Sequence, residues 1–168
     1  MTFDPAPGPA REPAQAPARP PTREPDPSKT REPDVVLHTT PGVGPTVRGA
    51  ALVSRHSFSA RYDVDRDRGV FSRETHDLYG HSLAGKILVC DTAKGGIATS
   101  WMLLDMVSRQ VAPLAILFRT TNPVMVQGAV LAGIAMLHRL SPDPVDTIRT
   151  GDDVEVDPQT GTVRVWQA

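Results

Sequence analysis

Cysteine is almost absent from this sequence of 168 residues, which contains only Cys90. A single thiol cannot form an internal disulfide, and it cannot hold a metal centre by itself. We therefore expect no metal and no cofactor in this chain. At the end of a predicted apolar strand, Cys90 is better explained as a small core residue than as a nucleophile.

Excess charge and long apolar runs are also missing. The sequence has eighteen Lys and Arg residues and nineteen Asp and Glu residues, so it lacks the excess of positive charge that is typical of proteins that bind nucleic acid. No apolar run approaches the roughly 20 residues that span a bilayer, and the N-terminus lacks the apolar segment of a signal peptide. We expect a cytoplasmic protein that binds neither nucleic acid nor membrane.

Proline is common, but it is unevenly distributed. Ten of the seventeen prolines lie in residues 1–34, mixed with Ala, Arg and Glu. Such a segment has too little apolar surface to offset the entropy of ordering it. We predict a disordered tail over residues 1–34 and one compact α/β domain over residues 35–168. A proline-rich docking ligand is the functional alternative for the tail.

The apolar pattern of the domain alternates strands with helices. The longest strand–turn–helix unit has a strand at 86–90, a turn at 91–96 and a helix at about 98–109. The inward face of this helix is predicted to include Trp101, Met102, Leu104 and Met106. The other predicted elements are strands at 47–54, 114–118 and 134–137, a helix between Asn122 as N-cap and Gly133, and hairpins over 63–71 and 154–166.

The turn that joins this strand to its helix contains Lys94, Gly95 and Gly96. A strand that passes through glycines into a helix directs the unpaired N–H groups of the first helical turn toward one point, which favours an anion. Thr99 and Ser100 add two hydroxyls to the same turn. The turn has a simpler explanation, in which the glycines only relieve a tight corner.

Four acidic residues imitate the spacing of a calcium loop, namely Asp63, Asp65, Asp67 and Glu74. The loop needs a glycine at its sixth position, where this sequence has Arg68, so a solvated hairpin turn is the better interpretation.

Three histidines, His56, His76 and His81, raise the question of a metal site. Their spacing matches no standard pattern of metal ligands. We predict that they lie at the surface or form hydrogen bonds.

The order of several segments resembles the small, swivelling subunit of the aconitase X family, over residues 47–166. The segments are Ala51-Leu52-Val53, Ser57-Phe58, 63–69, His76, Gly80, 83–89, the glycine turn, 112–116, Gly128-Ala129 and 132–134. The resemblance implies a β/β/α swivelling domain that works against a separate large subunit. Family members remove water from small acids such as phosphomevalonate or cis-3-hydroxyproline, with an iron–sulfur centre in the large subunit.

The glycine turn departs from the family pattern. In the family this turn usually reads Gly-Ser-Ser, and its first serine is the proton acceptor; here that position is Gly96. Ser100 falls on a later serine of the family, with Thr99 beside it. The resemblance therefore implies either that the catalytic role has moved to Ser100 or that this subfamily carries out different chemistry. In the enzyme hypothesis, Lys94, Gly95, Gly96 and Thr99 contact a small anionic substrate.

Three functions remain open at this stage. The chain is the small subunit of a hydro-lyase in a heterodimer, a non-catalytic swivelling lid that binds or gates the substrate, or a stand-alone ligand-binding module.

Overall fold

The computed structural model describes residues 31–168, so the predicted tail lies outside the described residues except for its last four positions. Nine strands and three helices are found in the described residues. In order, they are β1 Val35–His38, β2 Val47–Val53, β3 Val64–Asp65, β4 Val70–Phe71, β5 Ile87–Thr92, α1 Ile97–Ser108, β6 Ala115–Thr120, α2 Pro123–Ala132, β7 Ala135–His138, α3 Pro144–Thr147, β8 Asp153–Asp157 and β9 Thr162–Trp166.

A seven-stranded sheet organises these elements, in the order β1-β9-β8-β2-β5-β6-β7. Strands β2, β5, β6 and β7 are parallel neighbours, whereas β8, β9 and β1 extend the sheet with antiparallel pairing. The short hairpin β3–β4 is separate from this sheet. The fold is therefore the mixed α/β class that the sequence predicts.

Both faces of the sheet are covered. In β5, Leu88 and Cys90 belong to one apolar cluster together with side chains of α1 and α2, and Ile87 and Val89 belong to a second cluster with α3 and the antiparallel strands. This alternation follows the period of two residues in a strand. Burial raises the pKa of the Cys90 thiol well above its usual range, so its interpretation as a core residue agrees with the structure.

The hairpins, the parallel strands and the second helix are confirmed. Asn122 caps α2, since its side-chain oxygen accepts a hydrogen bond from the Met125 amide at 2.9 Å, and Gly133 ends the helix in the left-handed region at φ 67°. The acidic segment 63–69 forms the turn of the hairpin β3–β4 rather than a loop between helices.

The predicted inward face of α1 is partly wrong. Met106 is buried, but Trp101 is 61% exposed and Leu104 is 37% exposed. The buried residues of this helix are Thr99, Ser100, Leu103 and Met106. The face that packs inward begins with small hydroxyl side chains because α2 approaches α1 closely there.

This close approach occurs at Gly128 in α2. A Cβ atom at this position would lie 2.7 Å from the Cα of Ser100 and 3.1 Å from its Cβ. The hydroxyl of Ser100 also donates a hydrogen bond to the Val124 carbonyl at 2.7 Å. Together, these contacts fix the first turn of α1 against α2.

We expect Gly128→Ala to lower the free energy of unfolding by about 1–3 kcal/mol, because the added methyl group overlaps backbone atoms of α1. An ordinary Gly→Ala change inside a helix would raise stability by up to about 1 kcal/mol. Urea denaturation measures the difference. An unchanged or more stable Gly128→Ala protein would contradict the close packing.

Candidate functional site

The turn between β5 and α1 is held in place on both sides. The Ala93 amide donates to the Thr120 carbonyl at 3.1 Å, and the Lys94 amide donates to the Phe58 carbonyl at 2.8 Å. Gly95 then adopts φ 111°, in the region that favours glycine, and Gly96 is the N-cap of α1 without a side-chain cap. The structure therefore places the predicted glycine corner at the start of a 12-residue helix.

The buried hydroxyls of Thr99 and Ser59 both lie close to Gly95. A Cβ at Gly95 would collide with Thr99 Oγ1 and would lie 3.3 Å from Ser59 Oγ. Both residues are 1% exposed, and neither hydroxyl has a hydrogen-bond partner among the described residues. A buried hydroxyl without a partner costs about 1–3 kcal/mol. The sequence indicated Thr99 but missed Ser59, whose contact with the turn is a long-range one.

Ser100 lies beside this corner with a different orientation. It is 3% exposed, and its hydroxyl is occupied by the hydrogen bond to the Val124 carbonyl described above. Its predicted catalytic role stays a prediction. The structure adds a packing role for the same hydroxyl, which an experiment can separate from catalysis.

A cleft of about 360 Å³ adjoins the turn, and Lys94 lies in its wall. The side chains around it are mostly cationic or polar: Arg55, His56, Ser57, Arg73, Thr75, His76 and Lys94. The Arg55 guanidinium pairs with Asp146 at 3.0 Å, and that of Arg73 pairs with Asp63 at 3.2 Å. Lys94 has no ion-pair partner within residues 31–168, so its charge is available to a ligand.

His56 and His76 come together with Asp77 in this region, while His81 does not join them. The Nδ1 atom of His76 lies 3.1 Å from Asp77 Oδ1, and that of His56 lies 4.0 Å from it. This is a possible set of metal ligands. The cations of the cleft oppose a bound metal ion, however, and the expectation of no metal in this chain stays a prediction.

The His76 ring is buried against Phe71, on which it stacks with 4.6 Å between the ring centroids. Burial lowers the pKa of His76, and the carboxylates of Asp77 and Asp63 only partly oppose this effect. The Nε2 atom of His76 has no hydrogen-bond partner in the described part of the chain. Three of the four such buried side-chain atoms in residues 31–168 thus surround the turn and its cleft.

The described residues thus form a small α/β domain with an exposed glycine corner at the start of its first helix. In the crystal structure of aconitase X from Thermococcus kodakaraensis (holo-form), a chain with 29% identity matches it with a TM-score of 0.74, over 79% of this chain and 99% of that chain. A solution NMR structure of a UPF0107 protein matches with a TM-score of 0.71 at 28% identity, over 79% of this chain and all of that one.

A sequence profile described as the aconitase X swivel domain matches residues 36–165. The chain belongs to this family. The phosphomevalonate dehydratase small subunit of Methanocella arvoryzae is 34% identical over 122 residues, which cover 73% of this chain and 92% of the relative. That of Thermococcus sibiricus is 37% identical over 124 residues, with the same two shares.

The resemblance seen in the sequence is thereby confirmed, and with it the function of a small subunit in a hydro-lyase of the aconitase X type. Among residues 31–168, no helix has the length and apolar character needed to cross a membrane.

Stability should fall as the pH drops below about 6.5, because the pKa values of His76 and His138 are lowered in the folded protein. The unfolded chain then binds more protons than the folded chain, and a pKa difference of one unit corresponds to about 1.4 kcal/mol. The carboxyl groups of Asp77 and Asp143, whose pKa values are lowered by their hydrogen bonds, lose their contribution only at a lower pH. Urea denaturation between pH 7.5 and 5.5 measures this loss. We expect it to be smaller in His76→Phe, and an equal loss in that variant would remove His76 as a cause.

Proposed function

We propose that this chain, together with a large subunit, dehydrates a phosphorylated hydroxy acid, and that phosphomevalonate is the first substrate to test. The names of the relatives support this choice of substrate. The iron–sulfur centre belongs in the large subunit, because Cys90 is the only cysteine here and lies buried in β5. Such a centre would serve as a Lewis acid for the departing hydroxyl group. The cytoplasmic location remains a prediction from the sequence.

In this proposal, the corner of Lys94, Gly95 and Gly96 closes over an anionic group of the substrate. The N–H groups of the first turn of α1 point into the corner, and the helix dipole favours negative charge there. The observation that carries the proposal is the pair of buried hydroxyls of Ser59 and Thr99 beside Gly95, neither of which has a partner within residues 31–168. A ligand or a proton transfer gives these hydroxyls a partner.

The alternative function, a non-catalytic lid, has its own support. Gly96 has no hydroxyl at the position of the family's serine, and the hydroxyl of the nearest predicted substitute, Ser100, is bonded to the Val124 carbonyl. A lid would still bind the substrate through Lys94 and the helix N-terminus. Only proton transfer by a hydroxyl of this chain separates the two functions.

Thr99→Val and Ser59→Ala should each leave the free energy of unfolding unchanged or raise it, because they remove a buried hydroxyl without a partner. In the assembled enzyme, the variant that lacks the proton carrier should lose about 10²-fold or more in turnover. The measurements are urea denaturation of the chain and steady-state dehydration of phosphomevalonate by the two-subunit enzyme. Full turnover in both variants, with unchanged KM, would remove this hydroxyl pair from the site.

Ser100→Ala is the comparison for this pair. It should lower the free energy of unfolding by about 1 kcal/mol, because it breaks the hydrogen bond to Val124. A loss of about 10²-fold in turnover in the still-assembled enzyme would establish Ser100 as the proton carrier. If Ser100→Ala lowers the stability but not the turnover, Ser100 has a packing role and no catalytic role. Ser108→Ala, at the other end of α1, is the control for a hydroxyl remote from the corner.

Gly96→Ser tests what the missing family serine means. The substitution fits, since nothing lies within 4 Å of a Cβ there and the backbone has φ -109°. A serine N-cap should stabilise α1 by a few tenths of a kcal/mol relative to glycine. If the chain is a lid whose chemistry has been lost, turnover should rise in the assembled enzyme. If a hydroxyl elsewhere in the turn does the work, turnover should stay equal or fall.

A further inference from the structure

The two helices beside the glycine corner carry an exposed apolar surface. Seven large apolar side chains are exposed within residues 31–168, and five of them lie on α1 and α2: Ile97, Trp101, Leu104, Val130 and Leu131. We call these five the apolar helix face. Exposed apolar side chains that lie singly are normal on a protein, whereas a group of them on adjoining elements marks a binding surface.

The apolar helix face follows the contact between the two helices. Helices α1 and α2 connect the parallel strands β5, β6 and β7, so both run in the same direction. Ser100 and Gly128 face each other in their contact. Leu104 lies one turn beyond Ser100, and Leu131 lies about one turn beyond Gly128, so these two side chains border the same groove between the helices. The other two members on α1 continue this row toward its N-terminus.

These helices also lack the charges that normally cover the outer side of a surface helix. α2 contains no charged residue, and α1 contains none before Asp105. A helix that is apolar on all sides is normally buried. Charge appears only at the far end of α1, where Asp105 pairs with Arg109 at 3.1 Å and Arg109 pairs with Asp67 at 2.9 Å. Ion pairs thus border the apolar surface at the end remote from the glycine corner, as a polar rim borders an interface.

The position of Ile97 decides which partner can cover this surface. Ile97 is 71% exposed and directly follows Gly96, so a body that covers it also lies over the glycine corner. A second copy of this chain docked there would cover the corner and keep a substrate away from it. As the small subunit of a hydro-lyase, the chain has a larger partner, and the proposed function requires that partner opposite the corner.

We propose that the apolar helix face is the docking surface for the large subunit, with Trp101 as its main anchor. Trp101 lies between Ile97 and Leu104 on α1, and tryptophan is among the residues that contribute most to binding at interfaces. The apolar pattern that predicted Trp101 and Leu104 as inward residues then reflects their burial in the assembled enzyme. The inference rests on the proposed function, in that it takes the large subunit as the partner that closes the corner over the substrate.

The first test uses the full chain, labelled with 5-fluorotryptophan and mixed with the unlabelled large subunit from the same organism. The chain has two tryptophans, Trp101 and Trp166, so Trp101→Phe assigns both ¹⁹F signals. In the complex, the Trp101 signal should shift and lose its isotope shift between light and heavy water. Trp166 is the internal control, because it lies in β9, which two strands separate from β5 in the sheet; its signal should not change.

Two results of this experiment would overturn the inference. One is a Trp101 signal that stays exposed to solvent in the complex. The other is a Trp101 signal that is already protected in the free chain, because a second copy or another segment of the chain would then cover the surface. Sedimentation of the free chain separates these last two cases.

The second test compares two variants that each remove an exposed aromatic ring. Trp101→Ser should weaken docking by about tenfold or more, so that half-maximal activity requires more large subunit. At saturating large subunit, its turnover should stay within about twofold of the unmodified enzyme. Tyr79→Ser is the matched control, since Tyr79 is 53% exposed and lies outside the two helices. Thermal melting shows that each variant is folded; unchanged docking by Trp101→Ser, or an equal loss in both variants, would overturn the inference.

The inference and the proposed function fail in different ways. A complex that protects Trp101 but dehydrates no phosphorylated hydroxy acid would contradict the proposed function alone. An active complex in which Trp101 stays exposed would contradict the inference alone.

Discussion

The close packing of α1 against α2 is the constraint on which the site depends. At Gly128 the two helices approach within the space of a single methyl group, and the Ser100 hydroxyl bonds across the contact. Because this contact lies in the first turn of α1, it fixes where the helix begins and how its N–H groups are directed. The packing of α1 against α2 therefore holds the glycine corner in place, although the corner itself is exposed.

Much of the fold could be predicted from local patterns. The N-cap Asn122 with Pro123 identifies α2, and the continuous apolar run 114–118 identifies a strand covered on both sides. The inward face of α1 was wrong because hydrophobicity alone placed Trp101 inside, while the real contact requires small side chains. The edge strand β1 was missed, since it is short and its partner β9 lies far away in the sequence. Helix α3 was also missed, although Asp143 and Pro144 carry the same signal as Asn122 and Pro123.

The site was predictable only as far as its local part. The glycine turn and the first residues of α1 are continuous in sequence, so their geometry follows from the strand–turn–helix pattern. Ser59 and His76 reach the same place through tertiary contacts, and a histidine spacing of twenty residues gave no indication of it. The buried polar atoms of this corner that lack a partner within residues 31–168 can be recognised only in the folded chain. Such atoms lower the stability of the free protein, and a trade of stability for function is common at binding sites.

The empty space at Gly96 has a consequence for the evolution of the protein. With nothing within 4 Å of a Cβ, this position is under no packing constraint, and its backbone does not require glycine. The chain can therefore gain or lose a hydroxyl at the start of α1 without a compensating change in the packing around it. Chemistry at this corner can diverge among related sequences while the surrounding scaffold stays the same.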